Sequence, residues 1–422
     1  MLPRPLKNVK KYTDSISLSE IKRSYSNPFY SNTTYIILSS MMGSTIGLIY
    51  WIIAARYYPE ETVGVATAII SLIGLIVSIS LIGLDQSLIR YFPDWDKSKI
   101  VTTTLLITST LSALMGLFTI EFARYLSPSL TIIDQSGTII FLIFVILQCS
   151  SGIMSNAFIA MRKARYTFIQ TIIMSSRLIL LVVFISLGVA GILLSWALSY
   201  AIASLVAIYL LYELGIRIKK IDYAFVKESF GFSIGIYVFG NLNSFPLMIL
   251  PLLVLNLLGA VASANYYIAS SFAMIASIII SACNTSLFVE GSHGERLKES
   301  VFKSLLASTG LLIPLTIGVY LGGGFLLSLL GKSYATGGFE LLKLLLIANL
   351  FNIPYGAYYT ILKIQKNIKR LIELGALNCI FTLGLCYLLM QMYGLNGIGY
   401  ASILANGIEI IIILPLMMRG LV

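Results

Sequence analysis

The stretch GVAGILLSWALS runs from Gly188 to Ser199, and the stretch GLNGIGYASILA runs from Gly394 to Ala405. Both begin with the pattern Gly-x-x-Gly-Ile, and they start 206 residues apart (394 − 188) in a chain of 422 residues. A separation of about half the chain indicates an internal repeat. Glycine permits the backbone of a tight turn and lets helices approach closely. We therefore predict that each stretch is the outer turn between the fifth and sixth helices of one half.

The composition is that of a membrane protein. Hydrophobic residues make up 58% of the chain and charged residues only 11%, whereas soluble domains carry roughly 25% charged residues. Apolar segments of about 20 residues, enough to cross a ~30 Å hydrocarbon core, recur along the chain. The twelve predicted spans are 34–55, 62–89, 100–122, 137–160, 167–188, 191–212, 230–257, 262–289, 301–322, 338–362, 370–391 and 396–418. The predicted fold class is an all-α polytopic membrane protein.

The basic residues are unevenly distributed between the two sides of these spans. If the sides alternate, 24 of the 29 Lys and Arg residues fall on the side of the N-terminal tail and three on the other. This is the positive-inside rule, so the net charge of +11 reflects topology rather than nucleic-acid binding. Both termini are predicted to be cytoplasmic.

Six spans precede the basic central segment and six follow it, so both halves start on the same side and the repeat is parallel. DQSL at 85–88 matches NTSL at 284–287, which supports this alignment. Two lobes without a soluble domain predict a transporter that works by alternating access. The predicted parts are a cytoplasmic basic tail (1–31), an N-terminal lobe (32–213), a cytoplasmic linker (214–229) and a C-terminal lobe (230–422).

Several functional classes find no support in the sequence. The four cysteines all lie in predicted spans and His293 is the only histidine, so neither disulfides nor a metal site is expected. The chain has no P-loop, HExxH or CxxC motif. We expect no enzymatic chemistry, no cofactor and no metal.

The first two spans carry the most informative motif, AARYYPEETVGVATAIISLIGLIVSISLIGLDQSLIR, from Ala54 to Arg90. Proline suits the start of the second helix, and the two glutamates that follow complement its dipole. Arg90 suits the C-terminal end of this span, whereas Asp85 does not, so Asp85 is expected to need a partner, water or a substrate cation.

This stretch resembles the polysaccharide (O-antigen type) flippases of the multidrug/oligosaccharidyl-lipid/polysaccharide exporter superfamily. Tyr58 departs from the family's usual glycine. The resemblance implies a MATE-like exporter fold of two six-helix lobes around a central cavity, and a polyprenyl-(pyro)phosphate-linked oligosaccharide as substrate. The matching residues are Arg56, Pro59, Glu60, Gly64, Gly83, Leu84, Asp85, Leu88 and Arg90.

Charges within spans are costly, at roughly 2.5–3.5 kcal/mol on insertion scales, and therefore mark candidate sites. Arg177 in the fifth span is a candidate to bind the anionic lipid-linked phosphate. Glu409 in the twelfth span lies at a similar depth and is a candidate for ion or proton coupling. Alternatively, the two residues form a structural pair.

Three further charged residues are candidates for a gate. Asp85 and Arg90 lie near the cytoplasmic end of the second span, where the lobes would meet or part, and the alternative is interfacial packing. Arg56 lies at the outer surface beside two tyrosines, where an ordinary interface anchor is the competing interpretation.

Amide side chains within spans could line a glycan path, although hydrogen bonding between helices is the commoner role of such residues. Two of them precede a proline in the seventh span, and two share one face of the tenth, ahead of a tyrosine group. The candidates are Gln148, Asn241, Asn243, Asn349 and Asn352.

The sequence thus predicts a flippase that moves a lipid-linked oligosaccharide from the inner to the outer leaflet of the cytoplasmic membrane. Expected partners are membrane lipids and, for glycan assembly, a polymerase or glycosyltransferases. One alternative is a cation-coupled multidrug antiporter on the same fold. Another is a non-transporting scaffold of a glycan-assembly complex. The major facilitators, also six plus six, are a structural rival, but their glycine-rich and basic signature after the second helix is absent here.

Overall fold

A computed structural model describes residues 28–122, 135–242, 244–292, 297–365 and 367–420. The elements within these ranges are helices, without a strand. The predicted tail over 1–31 lies almost entirely outside the described residues, as do Asn243 and His293. The prediction of an all-α membrane protein is confirmed.

We call the helices of the first half the first lobe. They are α1 (Pro28–Tyr57), α2 (Glu60–Leu81), α3 (Leu84–Tyr91), α4 (Lys97–Glu121), α5 (Gln135–Ala160), α6 (Arg165–Met174), α7 (Arg177–Val183) and α8 (Gly188–Glu213), with a 3₁₀ turn at Ile185–Leu187. The helices of the second lobe are α9 (Tyr223–Asn241), α10 (Phe245–Leu258), α11 (Ala260–Ser292), α12 (Leu297–Ser328), α13 (Lys332–Ile364), α14 (Ile368–Tyr393) and α15 (Asn396–Gly420).

The two lobes repeat the same helix packing. In the first lobe α5 packs against α4 and α8, and in the second lobe its counterpart α13 packs against α12 and α15. The helix ends beside Arg162 and Lys363 are here called the basic end of the molecule, and the opposite ends the far end. The predicted pair of parallel six-helix lobes in a MATE-like arrangement is confirmed.

Eleven helical segments in the described residues are long and apolar enough to cross a membrane. The remaining predicted span, the seventh (230–257), is divided between α9 and the shorter apolar helix α10. Pro246 stands in the first turn of α10. Proline disfavours helical geometry in the residue before it, so the division lies where the sequence places this proline.

The two Gly-x-x-Gly-Ile stretches form equivalent turns, as predicted. Gly188 has φ 56° and ψ −129°, and Gly394 has φ 57° and ψ −139°. A side chain at the second glycine of either pattern would collide with backbone, that of Phe184 beside Gly191 and that of Leu389 beside Gly397. Glycine is therefore required twice in each turn, once for its backbone angle and once for space.

The end of the second predicted span differs from the sequence prediction. The helix stops at Leu81, Ile82 and Gly83 adopt left-handed conformations with φ 45° and 74°, and α3 starts at Leu84. Asp85 therefore lies in the first turn of a helix, where a carboxylate is stabilised, and not at a helix C-terminus. The prediction that Asp85 lies at a helix C-terminus is therefore wrong, although its carboxylate does have a hydrogen-bond partner, the Gln86 side chain.

The lobes are joined most tightly at the far end. A side chain at Gly64 of α2 would collide with the carbonyl group of Ala260, and the Ser263 hydroxyl donates to the Gly64 carbonyl at 3.2 Å. An apolar cluster at this end combines residues of both lobes, including Trp51 and Leu342. Within the described residues, the apolar clusters at the basic end separate into one for each lobe, except that α9 joins the first.

The chain between the lobes is fastened to the first lobe. Arg217 and Asp222 donate backbone N–H groups to the hydroxyls of Ser98 and Thr103, at 3.1 and 2.8 Å. Phe225 is fully buried in the first lobe's apolar cluster. Since α9 already begins at Tyr223, the extended part of the predicted linker 214–229 ends before that residue.

Candidate functional site

A distortion in the fifth span positions Arg177. Two serines, Ser175 and Ser176, separate α6 from α7, and backbone hydrogen bonds from Leu178 and Ile179 to their carbonyls close tighter, three-residue turns. The Ser175 hydroxyl also donates a hydrogen bond to the Thr171 carbonyl, one turn earlier in the helix, at 2.9 Å. Such serine pairs bend helices. Arg177 is the first residue after the bend.

The Arg177 side chain is buried, at 7% exposure, without a counter-ion. Its guanidinium carbon lies 4.2 Å from the ring centre of Trp196 and 5.8 Å from that of Tyr50. Its Nε has no hydrogen-bond partner, and in the described part of the chain no carboxylate lies within ion-pair distance. Stacking on aromatic faces suits arginine, which keeps its charge, so the site is cationic.

A cavity of about 440 Å³ opens beside this arginine, between the two lobes. Gly43 and Gly47 of α1 line it, and a side chain at Gly47 would come within 3.9 Å of an Arg177 Nη atom. The second lobe contributes Tyr267 and Met274 of α11. The described residues of its wall include no acidic side chain. It therefore offers space, apolar surface and one positive charge.

Aromatic side chains close the cavity toward the far end. The rings of Trp51 in α1 and Tyr267 in α11 meet across the lobes with centres 4.7 Å apart. The Tyr50 hydroxyl lies 2.7 Å from that of Ser195, which fixes its ring beside Trp196. A ligand at Arg177 is thus separated from the far end by packed rings.

Glu409 lies elsewhere, in the core of the second lobe. It is 1% exposed, and its Oε2 accepts a hydrogen bond from the Asn378 amide at 3.3 Å, while Oε1 has no hydrogen-bond partner. No ion pair with Arg177 is formed among the described residues. Glu409 is not part of the wall of the cavity beside Arg177.

The motif residues around the turn between α1 and α2 lie at the far-end joint. Arg56 donates to the carbonyl of Leu329 at 3.0 Å, and Glu60 accepts from the Ser333 hydroxyl at 2.5 Å. Both bonds join the turn between α1 and α2 to the turn between α12 and α13. With Gly64 they form a joint between the lobes, and a gate role for Arg56 stays a prediction.

Asp85 and Arg90 lie together on α3 at the basic end but do not form an ion pair. Asp85 accepts a hydrogen bond from the Gln86 side chain at 2.8 Å. The Arg90 guanidinium lies 4.1 Å above the ring of Phe232 in α9. Gly83 packs so closely on Ser233 that no side chain fits there. Helix α9 therefore packs against the segment where α2 ends and α3 begins.

The predicted amide residues separate into two groups. Asn241 accepts from the Ser78 hydroxyl and Asn349 accepts from the Ser277 hydroxyl, so both connect helices. Asn352 lines a cavity inside the second lobe. Gln148 lines a separate cavity of about 350 Å³ inside the first lobe. Asn243 lies outside the described residues.

Sequence reasoning missed the aromatic and glycine neighbours of Arg177. Gly43-x-x-x-Gly47 is a pattern typical of close helix packing, yet both glycines line the cavity. Trp196 stands four residues after Ile192, inside the stretch that identifies the repeat. Its position on the same lobe as a buried arginine is the signal that could have suggested a stacked pair.

The family model for polysaccharide biosynthesis proteins matches residues 29–288, which is more than half of the chain. No curated protein matches the chain in sequence. The solved structure of a multidrug resistance MATE family transporter of the MOP superfamily, in an inward-facing conformation, is similar with a TM-score of 0.69 at 14% identity, covering 92% of this chain and 98% of that one.

Two other solved structures have the same fold. The lipid II flippase MurJ, in an inward closed conformation, gives a TM-score of 0.68 at 12% identity over 92% of this chain and 89% of its own. A MOP superfamily transporter from Pyrococcus furiosus, described as having a binding pocket of reverse polarity, gives 0.59 at 14% identity over 93% and 96%. At these identities the similarity establishes the fold.

Proposed function

The chain belongs to the family of polysaccharide biosynthesis proteins, and from that premise we propose that it is a flippase for a polyprenyl-(pyro)phosphate-linked oligosaccharide. It would move this lipid from the inner to the outer leaflet of the cytoplasmic membrane, with the basic end in the cytoplasm. Transport needs no covalent chemistry. The product would serve the assembly of a cell-surface polysaccharide.

The observation that supports this proposal most is the unpaired Arg177 beside the cavity between the lobes. Leaving a charge buried without a partner is expensive, so an anionic ligand there would be stabilised. Guanidinium groups bind phosphate oxygens through two parallel hydrogen bonds. Gly43 and Gly47 leave the space that a phosphate group needs.

The geometry also suggests how access alternates. Arg56, Glu60 and Gly64 close the far end, while the apolar clusters of the two lobes stay separate at the basic end, apart from α9. The head group would enter from the basic end and neutralise Arg177. Separation of the far-end joint would then release it on the other side, and Asp85 and Arg90 would lie at the closing basic end.

Glu409 is proposed as the coupling residue. Its Oε1 has no hydrogen-bond partner among the described residues, and its Oε2 accepts from the Asn378 amide, so a small cation or a proton would complete its environment. Because it lies in the second lobe and Arg177 in the first, ion binding and cargo binding would use different sites.

Two experiments separate this proposal from its alternatives. In a deletion strain, polyprenyl-linked saccharides would be extracted, weighed by mass spectrometry and assigned to a leaflet by enzyme accessibility. Accumulation of one species on the inner leaflet, reversed by the wild-type gene, is the expected result. An unchanged lipid pool, after a redundant flippase is excluded, would contradict the proposal and direct attention to drug export. A scaffold would tolerate Arg177→Glu, whereas a flippase would not.

A further inference from the structure

A second cavity, of about 390 Å³, lies inside the second lobe between α11 and α13. This volume is within the range of small-molecule sites. The cavity does not include Arg177, and its residues have no assigned role beyond the predicted glycan contact of Asn352. The inference drawn from it rests on the proposed function and deepens it.

The lining of this cavity combines amides, hydroxyls and ring surfaces. Asn284 of α11 and Asn352 of α13 bring amide groups from facing helices, each able to donate and to accept hydrogen bonds. A side chain at Gly356 would collide with the Asn284 amide, so glycine gives that side chain its room. Sugars present hydroxyls that both donate and accept, and such amides match them.

Two tyrosines supply the flat surface that a sugar ring requires. Tyr355 and Tyr359 are stacked one helical turn apart, with ring centres 6.1 Å apart and planes at 16°. Both line the cavity, together with the hydroxyl groups of Ser281 and Thr285. Aromatic rings with polar tips suit ligands that are partly apolar and partly wet.

One charged residue, Lys363, completes the wall at the basic end. Its ammonium group lies 4.6 Å from the ring centre of Tyr359, which holds it over the tyrosine pair. Among the described residues that line the cavity there is no Asp or Glu, and Glu409 is buried outside its wall. An ammonium with three donors favours a carboxylate over a neutral hydroxyl.

Helix α11 connects this cavity with the one beside Arg177. Residues Ser271–Ile278 line the cavity between the lobes, and Ser277–Phe288 line the cavity in the second lobe. At 1.5 Å per residue, the 17 steps from Ser271 to Phe288 span about 25 Å. One elongated molecule can therefore lie along α11 with its phosphate at Arg177 and its sugars toward Lys363.

We propose that the cavity between α11 and α13 is a saccharide subsite that selects a glycan carrying a carboxylate. The amides of Asn284 and Asn352 bind hydroxyls, the tyrosine pair contacts the ring, and Lys363 pairs with the acid. The substrate class is thus an acidic lipid-linked oligosaccharide.

Binding of lipid-free probes to the purified full chain in detergent tests this subsite. The probes are trigalacturonate, maltotriose and inorganic phosphate, measured by calorimetry. We expect trigalacturonate to bind most tightly, and Lys363→Gln to weaken it roughly tenfold, the usual effect of losing one charged hydrogen bond. Lys369→Gln, on exposed α14, is the matched control and should leave binding unchanged, while Asn352→Ala should weaken both sugars.

Three results would overturn the subsite: equal binding of acidic and neutral trisaccharides, insensitivity to Lys363→Gln, or displacement of trigalacturonate by phosphate at equal concentration. Thermal unfolding of each variant shows whether it is folded, and chemical-shift changes of labelled tyrosines on adding trigalacturonate provide a second measurement. The proposed function fails separately, because lipid-free binding does not depend on transport. If the lipid pool in the deletion strain is unchanged but the purified chain still binds acidic saccharides selectively, the flippase proposal is contradicted and the subsite proposal is supported.

Discussion

Two buried charges, one in each lobe, differ in their surroundings. Arg177 is 7% exposed, stacks on Trp196 and lines a cavity of about 440 Å³ between the lobes. Glu409 is 1% exposed and accepts a hydrogen bond from Asn378 inside its own lobe. Neither forms an ion pair among the described residues. One charge adjoins open space, and the other is enclosed by helices.

This difference indicates what each charge can bind. A group as large as a phosphate can reach Arg177, because two glycines of α1 leave the guanidinium accessible from the cavity. Only a proton or a small cation can reach Glu409 without moving helices. In the proposed function, cargo would therefore bind in the first lobe and the coupling ion in the second, which gives the two distinct sites that coupling needs.

The largest effect is expected from reversing the cargo charge. Arg177→Glu would place a carboxylate where an anion must bind, so transport should fall at least about a hundredfold, well beyond the loss of one charged hydrogen bond. Transport of the lipid-linked saccharide, measured by leaflet accessibility in the deletion strain, checks this. Arg165→Glu, at the exposed start of α6, is the control and should transport normally.

A result in which Arg177→Glu inserts and transports like the wild type would remove the cargo role. Arg177→Lys sharpens the test, since it keeps the charge but loses the planar group that stacks on Trp196. An intermediate rate for this variant is expected if both charge and stacking contribute.

The second largest effect concerns the far-end joint. Gly64→Ala would press a methyl group into the backbone of Ala260, and overpacking of this kind costs about 1–3 kcal/mol. The equilibrium between the joined and the separated far end should shift roughly tenfold or more toward the separated state. Labelling of a cysteine introduced at Ser263 measures this, and Gly74→Ala, with no atom within 4 Å of the added carbon, is the control.

If Gly64→Ala and Gly74→Ala label alike, the close contact does not control access at the far end. Control of access at the far end would then be attributed to Arg56 and Glu60 alone, through their hydrogen bonds to Leu329 and Ser333.

Sequence patterns predicted the spans and the paired lobes better than they predicted the contacts of Arg177 and Glu409. Apolar length, basic asymmetry and the repeated Gly-x-x-Gly-Ile were enough for the spans and the paired lobes, because these properties depend on local chemistry. The depth of Arg177 and Glu409 was also predictable. Their separate environments were not, since Trp196, Gly47 and Asn378 reach them only through tertiary packing.

The second span shows the same limit in detail. A continuous apolar pattern predicted a helix over 62–89, but the backbone turns at Ile82 and Gly83, where Ser233 of α9 packs against Gly83. The glycine was visible in the sequence. Its contact with a residue 150 positions further on was not, and that contact moved Asp85 from a helix end to a helix start.

A smaller effect is expected from Glu409→Gln. The amide keeps the shape and the contact with Asn378 but cannot carry charge, so transport should fall severalfold and lose its dependence on the coupling ion. Rates measured with imposed sodium or proton gradients test this. Glu373→Gln on exposed α14 is the control. Unaltered ion dependence in Glu409→Gln would show that the buried carboxylate is structural.

The smallest effect should come from the exposed ion pair between Asp96 and Lys219, which joins the segment between the lobes to the first lobe. The hydrogen bond from Lys219, at 2.8 Å, and that from the Lys99 backbone lower the pKa of Asp96 below its usual value. Because the pKa is lower in the folded state, this stabilisation is present above the ordinary aspartate pKa of about 3.9 and is lost as the pH falls through the lowered value.

Asp96→Asn should therefore reduce stability slightly at neutral pH and not at all at strongly acidic pH. Exposed pairs contribute at most about 1 kcal/mol, and both side chains here are more than two-fifths exposed. Thermal unfolding in detergent at several pH values, compared with Asp94→Asn, measures the difference. A loss that persists at low pH would assign the effect to the cap of α4 rather than to charge. A loss of transport as large as that of Arg177→Glu would mean that fastening the chain between the lobes matters as much as the cargo charge.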